Sequence, residues 1–199
     1  MVVSNGKGRL RDMSQKCLDS FHWGEKIVIE AQDVEYDCLT IKQPVPFNYN
    51  QCLNLGLKHC TDEYVCFSNN DVSFLDDFGD ITTYNYDSMS PKNPIWGRHK
   101  DLEGVIEGYD IGLHLCGWCI VAKREMIERI GGFPEDVDFW CSDNLYADVL
   151  IYHNIKHALI TSCNAIHYPS TTLYQSPDIK ELTHGQAEKY KQAKKKWIL

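Results

Sequence analysis

The chain of 199 residues is long enough for one domain, and a fold of this size buries about 70% of its unfolded surface without needing disulfides. A formal charge of −8 argues against an overall basic nucleic-acid binder, and 43% apolar residues exclude a disordered chain. No apolar run approaches the length of a membrane span, and no charged head with an apolar run opens the sequence, so neither a transmembrane segment nor a signal peptide is predicted.

Taken in chain order, the apolar spacing predicts strands that alternate with helices. The predicted strands are 1–4, 26–30, 39–41, 63–68, 115–122 and 158–161, and the predicted helices are 9–21, 50–60, 75–84, 123–130 and 142–154. Residues 85–110 are rich in Asn, Pro, Gly and Asp, which predicts a long loop. This alternation is typical of an α/β fold with a mostly parallel central sheet and helices on both faces.

Polar clusters follow two of these strands, at the edge where ligands bind in parallel sheets. Asn5-Gly6-Lys7 follows the first strand, and Asn69-Asn70-Asp71 follows strand 63–68. A carboxylate such as Asp71 suits a divalent cation held on a diphosphate, but an Asx turn leaving the strand explains the same residues.

Two further residues have a chemical and a structural interpretation. Asp143 lies among aromatic residues at a predicted helix start, where apolar neighbours raise the pKa of a carboxyl toward that of a general base. The helix dipole has the opposite effect, and the sequence does not decide between them. His167 ends a predicted strand, where it is either a metal ligand or a structural histidine.

The nine cysteines are scattered, and several lie within apolar runs, which is typical of reduced and buried thiols. Cys116 and Cys119 form a single CxxC without the second pair that a structural zinc site usually needs. This CxxC also lies in a predicted strand, whereas a redox CxxC normally opens a helix, so neither function is predicted for it.

Five segments resemble motifs of inverting GT-A glycosyltransferases, family 2 in particular, and they occur in that family's order over roughly residues 1–170. Segment 47–57 resembles the FN…NxG helix, and 63–72 is similar to the strand that carries the metal-binding DxD motif, here in the form NND. Segment 117–135 resembles the acceptor-side strand, helix and GGFDE turn. Trp140 to Asn144 falls at the ED catalytic motif, and 165–168 at a late metal-binding histidine.

The resemblance implies a single GT-A, Rossmann-like domain that transfers a sugar from a nucleotide diphosphate, most simply UDP, to an acceptor hydroxyl with inversion. It implies Asp143 as catalytic base, and Mn²⁺ or Mg²⁺ held by Asp71 and His167. The acceptor-side residues are Gly117, Trp118 and Trp140. The implied donor-binding residues are Ser4, Asn5, Gly6, Glu30, Asn48, Asn54, Asn69 and Asn70, with Glu30 contacting the base.

The sequence departs from the family pattern at three positions. Asn69 replaces the first carboxylate of DxD, Ser142 replaces the Glu of ED, and Glu30 alone remains of an acidic pair. A non-catalytic nucleotide-sugar binding module with the same fold is therefore the alternative. No GxGxxG or P-loop motif is present, which argues against a plain dinucleotide- or phosphate-loop domain.

We predict a GT-A domain over residues 1–179, with a nucleotide-sugar half at 1–85 and an acceptor half at 86–179, followed by a basic tail or helix at 180–199. The tail holds six lysines and two glutamates, which leaves −12 on the rest of the chain. An acidic body favours a cation-bridged diphosphate. The tail is either a solvated helix face or a contact for an anionic acceptor or membrane surface.

The acceptor is either a glycan or a hydroxymethylated base in DNA, as some phage-encoded transferases modify. The expected location is the cytoplasm of a bacterial or phage-infected cell, and the oligomeric state is open. Loop 85–110, with Trp96, Arg98 and His99, is expected either to close over the donor or to be an ordinary surface loop.

Overall fold

The computed structural model describes residues 1–168 and 183–198, and these form one mixed α/β unit. The strands are β1 Val2–Ser4, β2 Ile27–Glu30, β3 Leu39–Lys42, β4 Tyr64–Asn69, β5 Val72–Phe74, β6 Ser88–Lys92, β7 Val105–Glu107, β8 Cys119–Lys123 and β9 His157–His167. The helices are α1 Arg9–Ser20, α2 Tyr49–Leu57, α3 Arg124–Arg129, α4 Ser142–Tyr152 and α5 Gln186–Ile198, with 3₁₀ helices at Asp76–Tyr84 and Gly97–His99.

The nine described strands form one sheet in the order β3-β2-β1-β4-β8-β6-β9-β5, with β7 also paired to β9. Strands β1, β2, β3 and β4 are parallel; β8 is antiparallel to both β4 and β6, and β9 is parallel to β6. Six strands therefore point the same way, and their carboxyl ends share one edge. The predicted mostly parallel sheet is confirmed.

Alternate residues along the strands divide the core between the two faces of the sheet. Val3, Ile29 and Ile120 pack with residues of α2, α3 and α4. Val2 and Val28 pack on the other face with residues of α1 and the longer 3₁₀ helix. Helices thus cover both faces, as the apolar strands predict. None of the helices within 1–168 and 183–198 is long and apolar enough to cross a bilayer.

The prediction of a long loop over 85–110 is wrong. Strand β6 lies in this segment between β8 and β9, and Met89 at its centre is fully buried. Apolar periodicity does not predict this strand, because its sequence is Ser-Met-Ser-Pro-Lys and polar side chains occupy buried positions. Ser90 resolves this conflict by accepting a hydrogen bond from the backbone N–H of Cys116 at 3.0 Å.

The hydroxyl of Ser88 belongs to a second buried chain of hydrogen bonds, which includes His157. Ser88 Oγ lies 2.8 Å from His157 Nδ1 and 2.9 Å from Tyr146 Oη, and His157 Nε2 lies 3.1 Å from the carbonyl of His114. A neutral ring with its proton on Nε2 satisfies every one of these contacts. Burial lowers the pKa of His157 to about 4, against the bond to His114, which favours the charged form.

This histidine makes the fold sensitive to acid. Because the pKa of His157 is lower in the folded than in the unfolded chain, its contribution is complete above the unfolded value of 6.5 and is lost as the pH falls toward about 4. We expect the wild type to lose about 2 kcal/mol of unfolding free energy to His157 between pH 7 and pH 5.

Urea titrations at both pH values, on the wild type and on His157→Gln, measure this difference. The variant is less stable at pH 7 but changes less on acidification. Equal pH dependence in the two proteins would contradict the assignment.

Candidate active site

A cavity of about 980 Å³ lies at the shared carboxyl edge of the sheet. Ser4 and Asn5 after β1 and residues Asn69 to Asp71 after β4 line it from the first half of the chain. The second half contributes His167 at the end of β9, and a group of residues around the starts of β8 and α4. Those residues are Gly117, Trp118, Trp140, Cys141, Ser142, Asp143 and Asn144.

Asp71 and His167 meet at the floor of this cavity. Strand β5 pairs with β9 so that Val72 is opposite His167, and the N–H of Tyr168 donates to the carbonyl of Asp71 at 2.9 Å. Asp71 Oδ1 and His167 Nε2 are 3.2 Å apart, and their side chains are only 5% and 13% exposed. Within residues 1–168 and 183–198, neither atom has a well-directed hydrogen bond. Buried polar atoms normally have a partner, and this oxygen and nitrogen lie close enough to bind one cation together.

Trp118 covers this pair from one side. Its ring stacks on His167 with centroids 5.2 Å apart and planes 8° from parallel, which fixes the orientation of the imidazole. The backbone of Trp118 is held in turn by the N–H of Asn69, which donates to its carbonyl at 2.9 Å.

Asp143 lies in the first turn of α4, against the backbone of Gly117. A Cβ atom at Gly117 would lie 2.7 Å from Asp143 Cβ and 2.8 Å from Oδ2, so only glycine allows this approach. Burial raises the pKa of Asp143, and the N–H groups of Asn144 and of Asp143 itself oppose the shift without cancelling it. Desolvation therefore outweighs these two N–H groups of the first helical turn, and a carboxyl with a raised pKa suits a general base.

The polar residues on the donor side are joined by a buried network. Ser4 Oγ lies 2.7 Å from Ser14 Oγ and 3.2 Å from Tyr36 Oη, and Asn70 Nδ2 donates to Ser14 Oγ at 3.0 Å. Asn69 Oδ1 accepts from Tyr49 Oη at 3.0 Å. These bonds fix the ends of β1 and β4 at the cavity.

Glu30 and Gly6 lie outside the cavity lining. Glu30 is 1% exposed. Its Oε1 accepts from the N–H groups of Gly6 at 2.7 Å and Gln32 at 2.8 Å, and its Oε2 accepts from Tyr36 at 3.0 Å. With both oxygens engaged, Glu30 holds the turns after β1 and β2 rather than facing a ligand, so its expected contact with a nucleobase has no support from the geometry.

Asn48 and Asn54 also have structural partners. Asn48 is the N-cap of α2, accepts from the N–H of Gln51, and donates to the carbonyls of Glu135 and Val137. Asn54 donates to the carbonyl of Phe133 and accepts from its N–H, both at 2.8 Å. These side chains tie α2 to the segment before α4, and the cavity does not include them.

Of the three residues named in the predicted loop 85–110, only Trp96 faces the cavity. Trp96 lines the cavity, His99 is fully buried with its Nδ1 accepting from the N–H of Asn93, and Arg98 donates to the carbonyl of Ile111. Trp140 lines the cavity mouth and is half exposed.

All nine cysteines are free thiols, and Cys119 belongs to β8.

The cavity lining also includes polar residues that were not predicted, among them Tyr49, Asp138 and Lys189. Lys189 lies on α5 and donates to Asp138. It is the only lysine or arginine among the described lining residues, which include the carboxylates Asp71, Asp138 and Asp143. The sequence gives no signal for this pairing, because it depends on where the C-terminal helix packs.

No protein-family model and no curated protein matches the sequence. Among solved structures, the fold is similar to that in the crystal structure of GalNAc-T7 with UDP, GalNAc and Mn²⁺, with a TM-score of 0.62 and 6% identity. The match covers 83% of this chain and 42% of that chain, so this chain spans less than half the length of its neighbour. At this identity the likeness concerns the fold alone, and it confirms the predicted single GT-A-type domain.

The role of Glu30 can be separated from ligand binding by its effect on stability. Glu30→Ala leaves two N–H groups and one hydroxyl without their acceptor, so we expect a loss of about 3 kcal/mol in unfolding free energy. Glu30→Gln should lose less, because the amide oxygen can still accept from the two N–H groups.

Urea unfolding measures both variants, with Asp33→Ala as control, since the Asp33 side chain is 99% exposed and forms a surface ion pair with Lys42. Unchanged stability of Glu30→Ala would show that the network does not depend on this carboxylate.

Proposed function

We propose that this chain is a metal-dependent inverting glycosyltransferase that uses a nucleotide diphosphate sugar, with a UDP-sugar as the first candidate. The observation that carries the proposal is the meeting of two chemical groups in one cavity. Buried Asp71 and His167 lie at its floor, with Oδ1 and Nε2 lacking hydrogen-bond partners among the described residues, and a buried carboxylate, Asp143, lies on its wall. The fold shared with a protein crystallised with UDP and Mn²⁺ supports the choice of donor.

Asp71 and His167 are suitable ligands for one divalent cation that they would share. Within the described residues no cluster of three or more His, Cys, Asp or Glu side chains surrounds a possible metal position. Asp71 and His167 would hold Mn²⁺ or Mg²⁺ together with the donor diphosphate. When bound, the cation neutralises the negative charge that grows on the leaving diphosphate.

Asp143 provides the proton acceptor in the proposed reaction. The acceptor hydroxyl oxygen forms a bond to the anomeric carbon while the bond from that carbon to the diphosphate oxygen breaks, and the hydroxyl proton passes to the Asp143 carboxylate. Gly117 leaves room for the carboxyl group, and the Asn144 N–H holds Oδ1 at 2.9 Å. The nucleoside diphosphate leaves with the electrons of the broken bond.

The acceptor is proposed only as a hydroxyl compound that reaches Asp143 past Trp140. A glycan and a hydroxymethylated DNA base remain the two candidates, and the fold comparison gives no support to the second. A screen of UDP-, GDP- and dTDP-sugars with Mn²⁺, followed by mass spectrometry of glycan and modified-DNA acceptors, identifies donor and acceptor together. Binding of a nucleotide sugar without transfer or hydrolysis would instead favour the non-catalytic module.

Asp143→Asn tests the base. The amide keeps the shape and the Oδ1 acceptor for Asn144 but cannot take the proton, so kcat should fall by about 100-fold or more. Calorimetric titration with UDP and Mn²⁺ should give wild-type affinity. Wild-type turnover in this variant would exclude Asp143 as the base.

The pH dependence provides a second test of the same residue. Because burial raises the pKa of Asp143 and only the ionised form accepts a proton, activity should fall on acidification with a midpoint above the ordinary aspartate value of 3.8. A pH–rate profile of the wild type measures the midpoint. A profile that stays flat down to that value would contradict the assignment.

Asp71→Ala and His167→Ala test the metal pair. Each should weaken UDP binding in the presence of Mn²⁺ by at least about 10-fold, because a direct ligand matters at least as much as an outer-shell partner. Neither should change the weak binding of UDP in EDTA. Asp33→Ala serves as the exposed carboxylate control. Equal UDP affinity with and without Mn²⁺ in the wild type would remove the cation from the proposal.

A further inference from the structure

The segment 130–141 forms the cavity wall next to Asp143, and it contains neither a helix nor a strand. Gly131 and Gly132 have φ values of 89° and 88°, and Cys141, directly before α4, has φ 66°. An irregular segment without ladder hydrogen bonds depends on side chains from other elements to fix it. On one side these come from α2, through Asn48 and Asn54.

On the other side the segment is held by α5, chiefly at Asp138. The side chain of Gln186, which is 1% exposed, accepts from the Asp138 N–H at 3.1 Å and donates to Asp138 Oδ2 at 3.0 Å. Lys189 donates to the same Oδ2. The carbonyl of Asp138 accepts from the N–H of Tyr49 at 2.6 Å, so this one residue connects α5 to α2 across the cavity wall.

The remaining contacts of α5 repeat this arrangement. Lys196 and Trp197 donate to Asp136 at 2.7 Å each, and Lys194 donates to Asp148 on α4, also at 2.7 Å. The hydrogen bonds from Lys189 and Gln186 outweigh burial and lower the pKa of Asp138. Three of the six tail lysines, Lys189, Lys194 and Lys196, are therefore engaged with carboxylates of the domain itself.

We propose that Gln186 and Lys189 are positioning residues for catalysis: by fixing Asp138 they set the place of Trp140 and of the base Asp143 in the cavity wall. This inference rests on the proposed function in so far as it names a base. The structural part of the inference is that α5 orders residues 136–143, from the second half of the wall segment to Asp143, and it can be tested without any enzymatic activity.

The test uses Lys189→Ala, the conservative Lys189→Arg, and Lys191→Ala as a matched control. Lys191 carries the same charge on the same helix, but within the described part of the chain its one ion pair is with Glu188 of that helix, at 3.8 Å. In Lys189→Ala we expect kcat to fall about 10-fold through misplacement of the base, while metal-dependent UDP affinity stays at the wild-type value. Lys189→Arg should restore most of the rate, since its guanidinium can still donate to Asp138.

Hydrogen–deuterium exchange over residues 136–143 provides the readout that needs no substrate. It should be about fivefold faster in Lys189→Ala than in the wild type or in Lys191→Ala. Unchanged exchange in Lys189→Ala overturns the inference, even if kcat falls, because Lys189 would then act on the substrate directly. Faster exchange with unchanged kcat overturns it as well. If the wild type transfers no sugar, the proposed function fails, and the exchange result alone decides whether α5 orders the segment.

Discussion

The pairing of β5 with β9 is the constraint on which the candidate site depends. It joins three residues of one strand to three of the other, with Val72 opposite His167. Because side chains alternate between faces, a slip of one residue would turn His167 away from Asp71 and expose what is now buried. Strand β9 is also paired along its length with other strands, since β6 pairs with residues 157–160 and with Asn164, and β7 pairs with 158–160. The three-residue pairing of β5 thus gains a fixed register from the longer pairing between β6 and β9.

The two walls of the cavity are built by different means. On the donor side, parallel strands end together, and a buried network from Glu30 through Tyr36, Ser4 and Ser14 to Asn70 joins their ends. On the side of Asp143 the wall is a segment without regular secondary structure. Hydrogen bonds from asparagine side chains and from α5 hold it in place of the backbone hydrogen bonds of a sheet. The first wall is fixed by the sheet itself, whereas the second depends on groups that are distant in sequence.

This difference explains which parts of the molecule can be predicted from sequence. Apolar periodicity locates most strands and helices, and the resemblance to GT-A motifs points to Asp71, His167 and Asp143, which the structure brings to one cavity. Strand β6 is missed because its buried serines look polar until their partners are known. Glu30, Asn48 and Asn54 are the residue types that bind ligands, but here they bind backbone. Three of these bonds, one for each residue, join positions that are 24, 87 and 79 residues apart in sequence, which no local pattern records.

The position of β9 in the chain also has a consequence for how the protein folds. It is the last described strand, yet β5, β6 and β7 all pair with it. During synthesis these three strands must wait for residues 157–167, with their hydrogen-bonding edges open to other chains. Such late, non-local pairing slows folding, and a nascent chain interrupted before residue 157 would present the edges most prone to aggregation.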